Sequence, residues 1–472
     1  MKNINKLYEK LNQIELKEPL INASIKALSI GSQFLLLILM AREIPKEEFG
    51  NAMLAFTIFR LMSLAIGSGM GSIVLYHVSK RIHDLTLDIR LTRSVTLFTI
   101  LITIPLTFLF TNFSNEVAIL FSKPSLAPWL FAMAPLVLFG SLIQITSNSL
   151  DARSKVTRSI IITEVVPNII RLTGVIGMIL LELPHISLSY IFWIASAIPW
   201  AVDALRLFDQ SVRGFERLSF WDFKYAGWLT LYPLLGMQLQ GIDMIIVGAF
   251  FSSNLVAEYS IASRIASLYP FLQQMVARVF VPRSGPLFQE REIGKINKEL
   301  KVLRENSLAT TSVMISILLI SSLIIFNYMP AYKEIYGLLI IFSIPPLVRC
   351  AFVGIDVTLR MEGKGFTLTL ISISILFIIA TGTYFLHEKI GLYSLPVSMI
   401  ISTISINTLI VLIRKNNPIK IFDKSIASTI TLSIFFILLS FFYFSNFVST
   451  INTSIIFLII FFIARSNIKI HK

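Results

Sequence analysis

The chain has 472 residues, 55% hydrophobic and only 14% charged, with a formal net charge of +14 at neutral pH. Soluble domains carry about a quarter charged residues, so this composition excludes a water-soluble core, whereas lipid accepts so much apolar side chain. One cysteine, Cys350, excludes an internal disulfide.

The first segment, 1–19, carries four lysines but no apolar core or cleavage site, so it does not read as a signal peptide. Ile4, Leu7, Tyr8, Leu11 and Ile14 fall on one helical face. That spacing predicts an amphipathic helix on the membrane surface. Apolar stretches of spanning length then recur at 20–41, 49–79, 94–112, 126–150, 159–181 and 187–207. They continue at 225–251, 257–282, 307–328, 332–359, 366–386, 392–413, 424–445 and 450–464. Backbone polar groups in hydrocarbon must be satisfied within their own helix, so the expected fold is an all-α integral membrane bundle of about fourteen helices.

With the N-terminus placed in the cytoplasm, only Arg42, Lys46, Lys123, Lys333 and Lys389 fall in outer loops. Most of the remaining Lys and Arg fall in inner loops and both termini. This bias supports the orientation and an even number of spans, and it accounts for the net charge without nucleic acid as a partner. The outer loops are short. The inner segment 283–306 places Ile293, Ile296, Leu300 and Leu303 on one face and reads as a cytoplasmic surface helix.

A weak repeat divides the chain. Glu48-Phe49-Gly50-Asn51 opens the second span, and Val256-Ala257-Glu258-Tyr259 opens the eighth, about 208 residues on. Leu150-Asp151-Ala152-Arg153-Ser154-Lys155 precedes the fifth span as Leu359-Arg360-Met361-Glu362-Gly363-Lys364 precedes the eleventh. The expected organisation is two pseudo-symmetric six-helix lobes in parallel orientation. These are 20–208 and 225–414, joined by a cytoplasmic linker 209–224 and followed by two helices in 424–464 and a basic tail 465–472. A binding site between such halves is a common transporter plan.

Charges inside the spans mark candidate sites, because each costs roughly 2.5–3.5 kcal/mol at a helix centre. Lys26 and Arg278 lie within about 10 Å of the inner surface and can snorkel. Arg60 and Arg171 lie about 16–20 Å deep, where snorkelling fails; Arg264 and Arg349 are intermediate. Polar faces accompany them. Lys26 lies with Asn22, Ser29 and Gln33; Arg264 with Ser267, Phe271, Gln274 and Arg278. Arg171 lies with Glu164, Pro167, Asn168 and Gly174; Arg349 with Asp356 and Arg360. These faces predict a wet, net-positive lumen that attracts an anion, and the planar guanidinium fork suits phosphate. Substrate contact is therefore expected at Arg60, Arg171, Arg264, Arg349, Lys26, Arg278, Asn168 and Gln274. Asp243 lies at a depth matching Arg264 on a helical hairpin, so a structural ion pair there weighs equally with a substrate contact. Glu164 and Asp243 are the candidate ion-coupling carboxylates. Prolines inside the spans, among them Pro135, Pro167 and Pro345, read either as hinges or as ordinary members of membrane helices.

No phosphate-cradling GxxxxGK[ST] loop and no metal-spaced His/Cys set occurs, and no catalytic constellation stands out, so an enzyme is not expected. A membrane glycan polymerase or ligase would need a larger outer loop. A cation-driven drug exporter would favour an acidic lumen.

The run Ala41-Arg42-Glu43-Ile44-Pro45-Lys46-Glu47-Glu48-Phe49-Gly50 resembles the junction after the first helix of polysaccharide transporters. These are Wzx-type flippases of the multidrug/oligosaccharidyl-lipid/polysaccharide exporter superfamily. Asp243-Met244-Ile245-Ile246-Val247-Gly248 followed by Val256-Ala257-Glu258-Tyr259-Ser260-Ile261-Ala262 resembles a second segment of that family, with Glu258 in place of its usual glycine. Pro282-Arg283-Ser284, Glu362-Gly363-Lys364 and Ile390-Gly391-Leu392 fit further positions, so the resemblance covers about 20–414. It implies a flippase that carries undecaprenyl-pyrophosphate-linked oligosaccharide, such as an O-antigen repeat unit of lipopolysaccharide, to the outer leaflet of a bacterial inner membrane. It further implies alternating access and a multi-pass location in that membrane. No cofactor is expected; a proton or sodium gradient is the candidate driving force. Partners would be membrane lipids, a polysaccharide polymerase and a chain-length regulator.

Overall fold

A computed structural model of the protein describes residues 24–25, 28–79, 85–153, 155–208, 212, 214–236, 241–273, 290, 292–326, 328–355, 358–359, 362, 365–414, 419, 422–443, 452–453, 455–457 and 459–460. The secondary structure among these residues is helical, without a strand. The chain divides into two compact units, Met1–Met237 with Ser252–Asn254, and Gln238–Phe251 with Leu255–Lys472. The expected boundary was the linker 209–224; the division falls later because the helix after that linker packs within the first unit.

In the first unit, helix α1 covers 28–43 and ends before Pro45. Helix α2, Lys46–Ser79, has Glu47 and Glu48 in its first turn and His77 in its last, the charge order its dipole favours. Its 34 residues extend about 50 Å at 1.5 Å per residue, well beyond a hydrocarbon core of about 30 Å. Then follow α3 (Leu85–Asn112), α4 (Ser114–Leu120), α5 (Ala127–Met133) and α6 (Leu136–Ala152). Helices α7 (Val156–Ile160) and α8 (Val166–Leu180) precede α9 (Ser187–Ala204) and α10 (Phe220–Gly236).

Helix α2 is the axis of this unit, and small residues let its neighbours approach. In lipid no hydrophobic force drives two apolar helices together, so close van der Waals packing must. A Cβ on Gly67 would sit 2.7 Å from Gln144 Cβ and 2.8 Å from the Ser141 carbonyl oxygen; one on Gly71 would sit 2.3 Å from Asn148 Nδ2. Across the same contact a Cβ on Gly140 would meet Ser63 Oγ at 2.6 Å. Ser63, Gly67 and Gly71 thus form one ridge against α6. Gly69 faces the other way, toward Thr230 and Ala226 of α10.

Two breaks distinguish the spans from the uninterrupted helices expected at 126–150 and 159–181. The segment Pro124–Met133 meets Leu136–Ala152 at 44°. Pro135 lies at the break; it has no N–H and its ring crowds the preceding turn. Between α7 and α8 the residues Ile161–Val165 form a π-helical turn. Pro167 opens α8 and cannot donate to the Thr163 carbonyl, which favours the wider turn.

One end of the unit is held by ion pairs among residues whose basic members the sequence assigned to loop topology. Asp88, almost fully buried, accepts from Ser149 Oγ at 2.7 Å and from Arg206 Nη1 at 2.9 Å. Arg206 also binds Asp203 at 2.9 Å, Arg153 lies 3.5 Å from Asp88, and Arg158 lies 3.7 Å from Asp203. The network joins α3, α6 and α9, and Arg158 extends it to α7. Nearby, Ser219 and Asp222 form a reciprocal capping box at the start of α10: Ser219 N–H donates to Asp222 at 2.8 Å and Asp222 N–H to Ser219 Oγ at 3.3 Å. His77 reaches the same carboxylate at 2.7 Å.

In the second unit, α11 (Ile242–Phe250) and α12 (Ser253–Ala266) form a hairpin; the first residues of α12 are counted with unit one. Helix α13 runs unbroken from Ile293 to Ile325. The surface helix expected at 283–306 is, from 293 on, the first part of that rod. No breaker interrupts it, and Ile296, Leu300 and Leu303 are buried with Val353 and Ile419 packed against them. Helices α14 (Tyr336–Phe342) and α15 (Ile344–Cys350) replace a continuous span at 332–359, followed by α16 (Gly365–Ile390), α17 (Ser394–Ile413) and α18 (Lys424–Tyr443).

Six helices among the described residues are long and apolar enough to cross a membrane, or seven if the bent pair is one span. Proline-broken helices fall short of that length, and 1–23 and 461–472 lie outside the described residues, as do the surface helix and basic tail expected there.

Replacing Gly67 with Leu should lower the melting temperature of the detergent-solubilised protein, an overpacking cost of about 1–3 kcal/mol. Burial opposes ionisation of Asp222, but His77 together with the Ser219 N–H and hydroxyl outweighs it and holds the carboxyl below its ordinary range. A lowered folded value gives stability that is present above the unfolded value and is lost as pH falls through the folded one. Asp222→Asn should therefore lower the melting temperature by a constant amount at neutral and mildly acidic pH. The gap should close only below about pH 4.

Candidate functional site

The first unit brings Arg60, Arg171, Glu164 and Asn168 together. Helix α2 supplies Phe56 and Arg60, one turn apart on one face. Helix α8 supplies Asn168 and Arg171, and the π turn supplies Glu164. Ser29 comes from α1, and Phe192 and Ser196 come from α9. Asn168 is 1% exposed and orients its amide both ways: Nδ2 donates to Ser29 Oγ at 2.8 Å, while Oδ1 accepts from Arg171 Nη1 at 3.3 Å. Arg171 Nη2 reaches Ser196 Oγ at 3.5 Å.

Aromatic rings supply much of what water would. The Arg171 guanidinium carbon lies 5.6 Å from the Phe56 ring centroid and 5.3 Å from that of Phe192. The two rings meet edge to face at 4.6 Å. A cation over aromatic faces is stabilised most where water is excluded. Arg171 Nε is nevertheless buried without a hydrogen-bond partner, and such a donor is costly to leave unmade.

The charges do not cancel. Arg60 feels attraction from Glu164, and Arg171 feels repulsion from Arg60. One carboxylate, Glu164, acts on Arg60, and an open donor remains on Arg171. This arrangement can receive an anion, and the planar donors present suit a phosphate group.

In the second unit, the Asp243 carboxylate accepts from Tyr259 Oη at 2.7 Å and is buried. Arg264 adds an electrostatic attraction to it. Arg349 is exposed on α15. Lys26, Gln274, Arg278 and Asp356 lie outside the described residues. Among the described residues no cluster of acidic, His or Cys side chains has the form of a metal site.

Sequence reading missed Phe56, Phe192 and Ser196. Phe56 was findable, four residues before Arg60 on the same face. Phe192 and Ser196 share a face of α9, but nothing in their spacing says that this face meets α8.

A model of the family described as polysaccharide biosynthesis protein matches residues 39–329. The chain belongs to that family. No curated protein matches the sequence. Among solved structures, the lipid II flippase MurJ in an inward closed conformation superposes with a TM-score of 0.73 at 16% identity, covering 94% of this chain and 98% of that one. An inward-facing multidrug resistance MATE transporter of the MOP superfamily gives 0.65 at 13% identity, covering 84% and 98%. A MOP superfamily transporter from Pyrococcus furiosus gives 0.57 at 12% identity, covering 84% and 93%. The family member described here therefore has the MOP transporter fold and is a multi-pass membrane protein.

Lysine cannot stack in a plane or offer the same fork. Arg171→Lys should therefore leave the protein folded but lower its affinity for a pyrophosphate-bearing lipid, measured by retention in native mass spectrometry. Phe192→Leu should do the same more weakly, by roughly 0.5–2 kcal/mol.

Proposed function

We propose that this family member is a flippase that carries an undecaprenyl-pyrophosphate-linked oligosaccharide, such as an O-antigen repeat unit, from the inner to the outer leaflet of a bacterial inner membrane. The observation that carries the reading is the under-neutralised pair Arg60 and Arg171, with a buried unpaired donor on Arg171. The family match adds polysaccharide biosynthesis as the setting. The MurJ likeness adds a fold on which a lipid-linked cargo is already carried.

The pyrophosphate is the part of such a substrate that cannot stay in hydrocarbon. Arg171, held by Phe56, Phe192 and Asn168, would meet it with a donor already desolvated and aimed, so little ordering entropy is lost on binding. Arg60 would bind the second phosphate as Glu164 gives way, and the lipid chain would stay in the bilayer. Arg264 and Arg349 in the second unit, with Lys26, Arg278 and Gln274, are the further proposed contacts for phosphate or acidic sugars. Movement would follow alternating access, driven by a proton or sodium gradient acting at Glu164 or Asp243. A polymerase and a chain-length regulator would take the product.

In reconstituted vesicles, Arg60→Ala and Arg171→Ala should each cut transfer of lipid-linked oligosaccharide to the far leaflet by roughly thirtyfold or more, the loss of one partner of a buried charge pair. Surface glycan should vanish in cells carrying either variant at normal protein level. Full glycan with both variants would overturn the proposal, and uptake of cationic drugs instead of flipping would favour an exporter.

A further inference from the structure

The helix breaks in the two units fall at equivalent positions of the duplicated halves. Helix α5 begins at Ala127 and α14 at Tyr336; they end at Met133 and Phe342, and resume at Leu136 and Ile344. This is the spacing that relates the loop sequences at Leu150 and Leu359. A hydroxyl reaches the backbone near each break, at the first residue after it in unit one and within α14 ahead of it in unit two. In unit one, Ser63 Oγ of α2 donates to the Leu136 carbonyl at 2.8 Å. In unit two, Tyr269, just after α12, donates to the Leu339 carbonyl at 3.2 Å.

The bond in unit one is exchangeable. Ser63 Oγ lies 2.7 Å from the Phe59 carbonyl of its own helix as well as 2.8 Å from Leu136. A hydroxyl has one proton, so it serves one acceptor at a time. Ser141 mirrors this, 2.7 Å from its own Val137 carbonyl and 3.2 Å from the Ser63 carbonyl across the contact. If the helices part here, both hydroxyls retain an acceptor within their own helix. No buried donor is orphaned, so the contact can open and close without the penalty that an unmade hydrogen bond carries. Pro135 supplies the local freedom to bend. The α2 turn that holds Ser63 also holds Arg60.

We propose that Ser63 is a positioning residue that ties the bend at Pro135 to the α2 turn bearing Arg60, so that anion occupancy of the arginine pair and flexing of the fourth span are coupled. The inference rests on the flippase reading for its ligand but not for the hinge itself. An anion drawing Arg60 inward shifts its turn of α2, and the Ser63 proton then exchanges between Leu136 and Phe59. The segment ahead of the bend, α4 and α5, is thereby released or held.

The test is amide hydrogen exchange across residues 127–140 of the full chain in nanodiscs, with and without undecaprenyl pyrophosphate. The wild type should change its exchange in this segment by roughly threefold or more when the lipid is added. Ser63→Ala should still bind the lipid by native mass spectrometry but lose that response. Ser312→Ala, a buried serine bonded to the Leu308 carbonyl of its own helix, should keep it. A Ser63→Ala protein that responds as the wild type does would overturn the coupling. If the wild type binds no such lipid, the flippase reading fails, and the hinge is judged without ligand. Pro135→Ala restores an N–H and should then slow exchange around the break, whereas unchanged exchange would overturn the hinge as well.

Discussion

A guanidinium group cannot be left bare in hydrocarbon, and the first unit is organised around satisfying that condition for Arg171. An acid placed directly against it would neutralise it and leave an inert pair. Two phenylalanine rings, an amide and a hydroxyl stabilise it instead, none of which removes its charge. The remaining helices can be understood by what they bring to this point. Helix α2 brings Phe56 and Arg60, α9 brings Phe192 and Ser196, and α1 fixes the amide through Ser29. The glycine ridge of α2 has a related purpose: it brings backbones close enough for short side chains such as Ser63 and Ser141 to bond across helices.

The end of the same unit that holds Asp88 uses a different solution. There Asp88 and Asp203 are paired directly with Arg153, Arg158 and Arg206, two carboxylates among three guanidinium groups. Buried pairs of this kind fix geometry more than they add stability. The unit thus has one end where buried aspartates are directly paired with arginines and a centre where Arg171 keeps an unmet donor. Directly paired charge and incompletely paired charge are thus separated within the unit.

Much of this was legible in the sequence. Apolar length disclosed the helices, and depth along a span singled out Arg60 and Arg171. The motif residues Asp243 and Tyr259 stood far apart in the resemblance, and the structure joins them by one hydrogen bond. What stayed hidden depended on the third dimension. Periodicity gives the face of α9 that holds Phe192 but not the helix it meets. The basic residues at 153, 158 and 206 obey a charge-bias rule, which conceals that buried aspartates await them. Proline positions were visible, but whether a proline bends a span, as at Pro135, or widens a turn, as near Pro167, is decided by the neighbours.

The wide turn at Ile161–Val165 has a consequence for how the fifth span should be read. Helical-wheel geometry assumes a uniform rotation of about 100° for each residue. A π turn rotates less at each step, so over its length the angular bookkeeping slips by roughly a quarter of a revolution. Glu164 and Arg171 are seven positions apart and would eclipse one another on an unbroken helix. Glu164 lies inside the turn, so the slip falls mostly on the residues before it, and the carboxylate's influence reaches Arg60 of the adjoining helix. Faces drawn through 156–160 and through 166–180 therefore belong to two different wheels, and a single wheel over the span misplaces one of them.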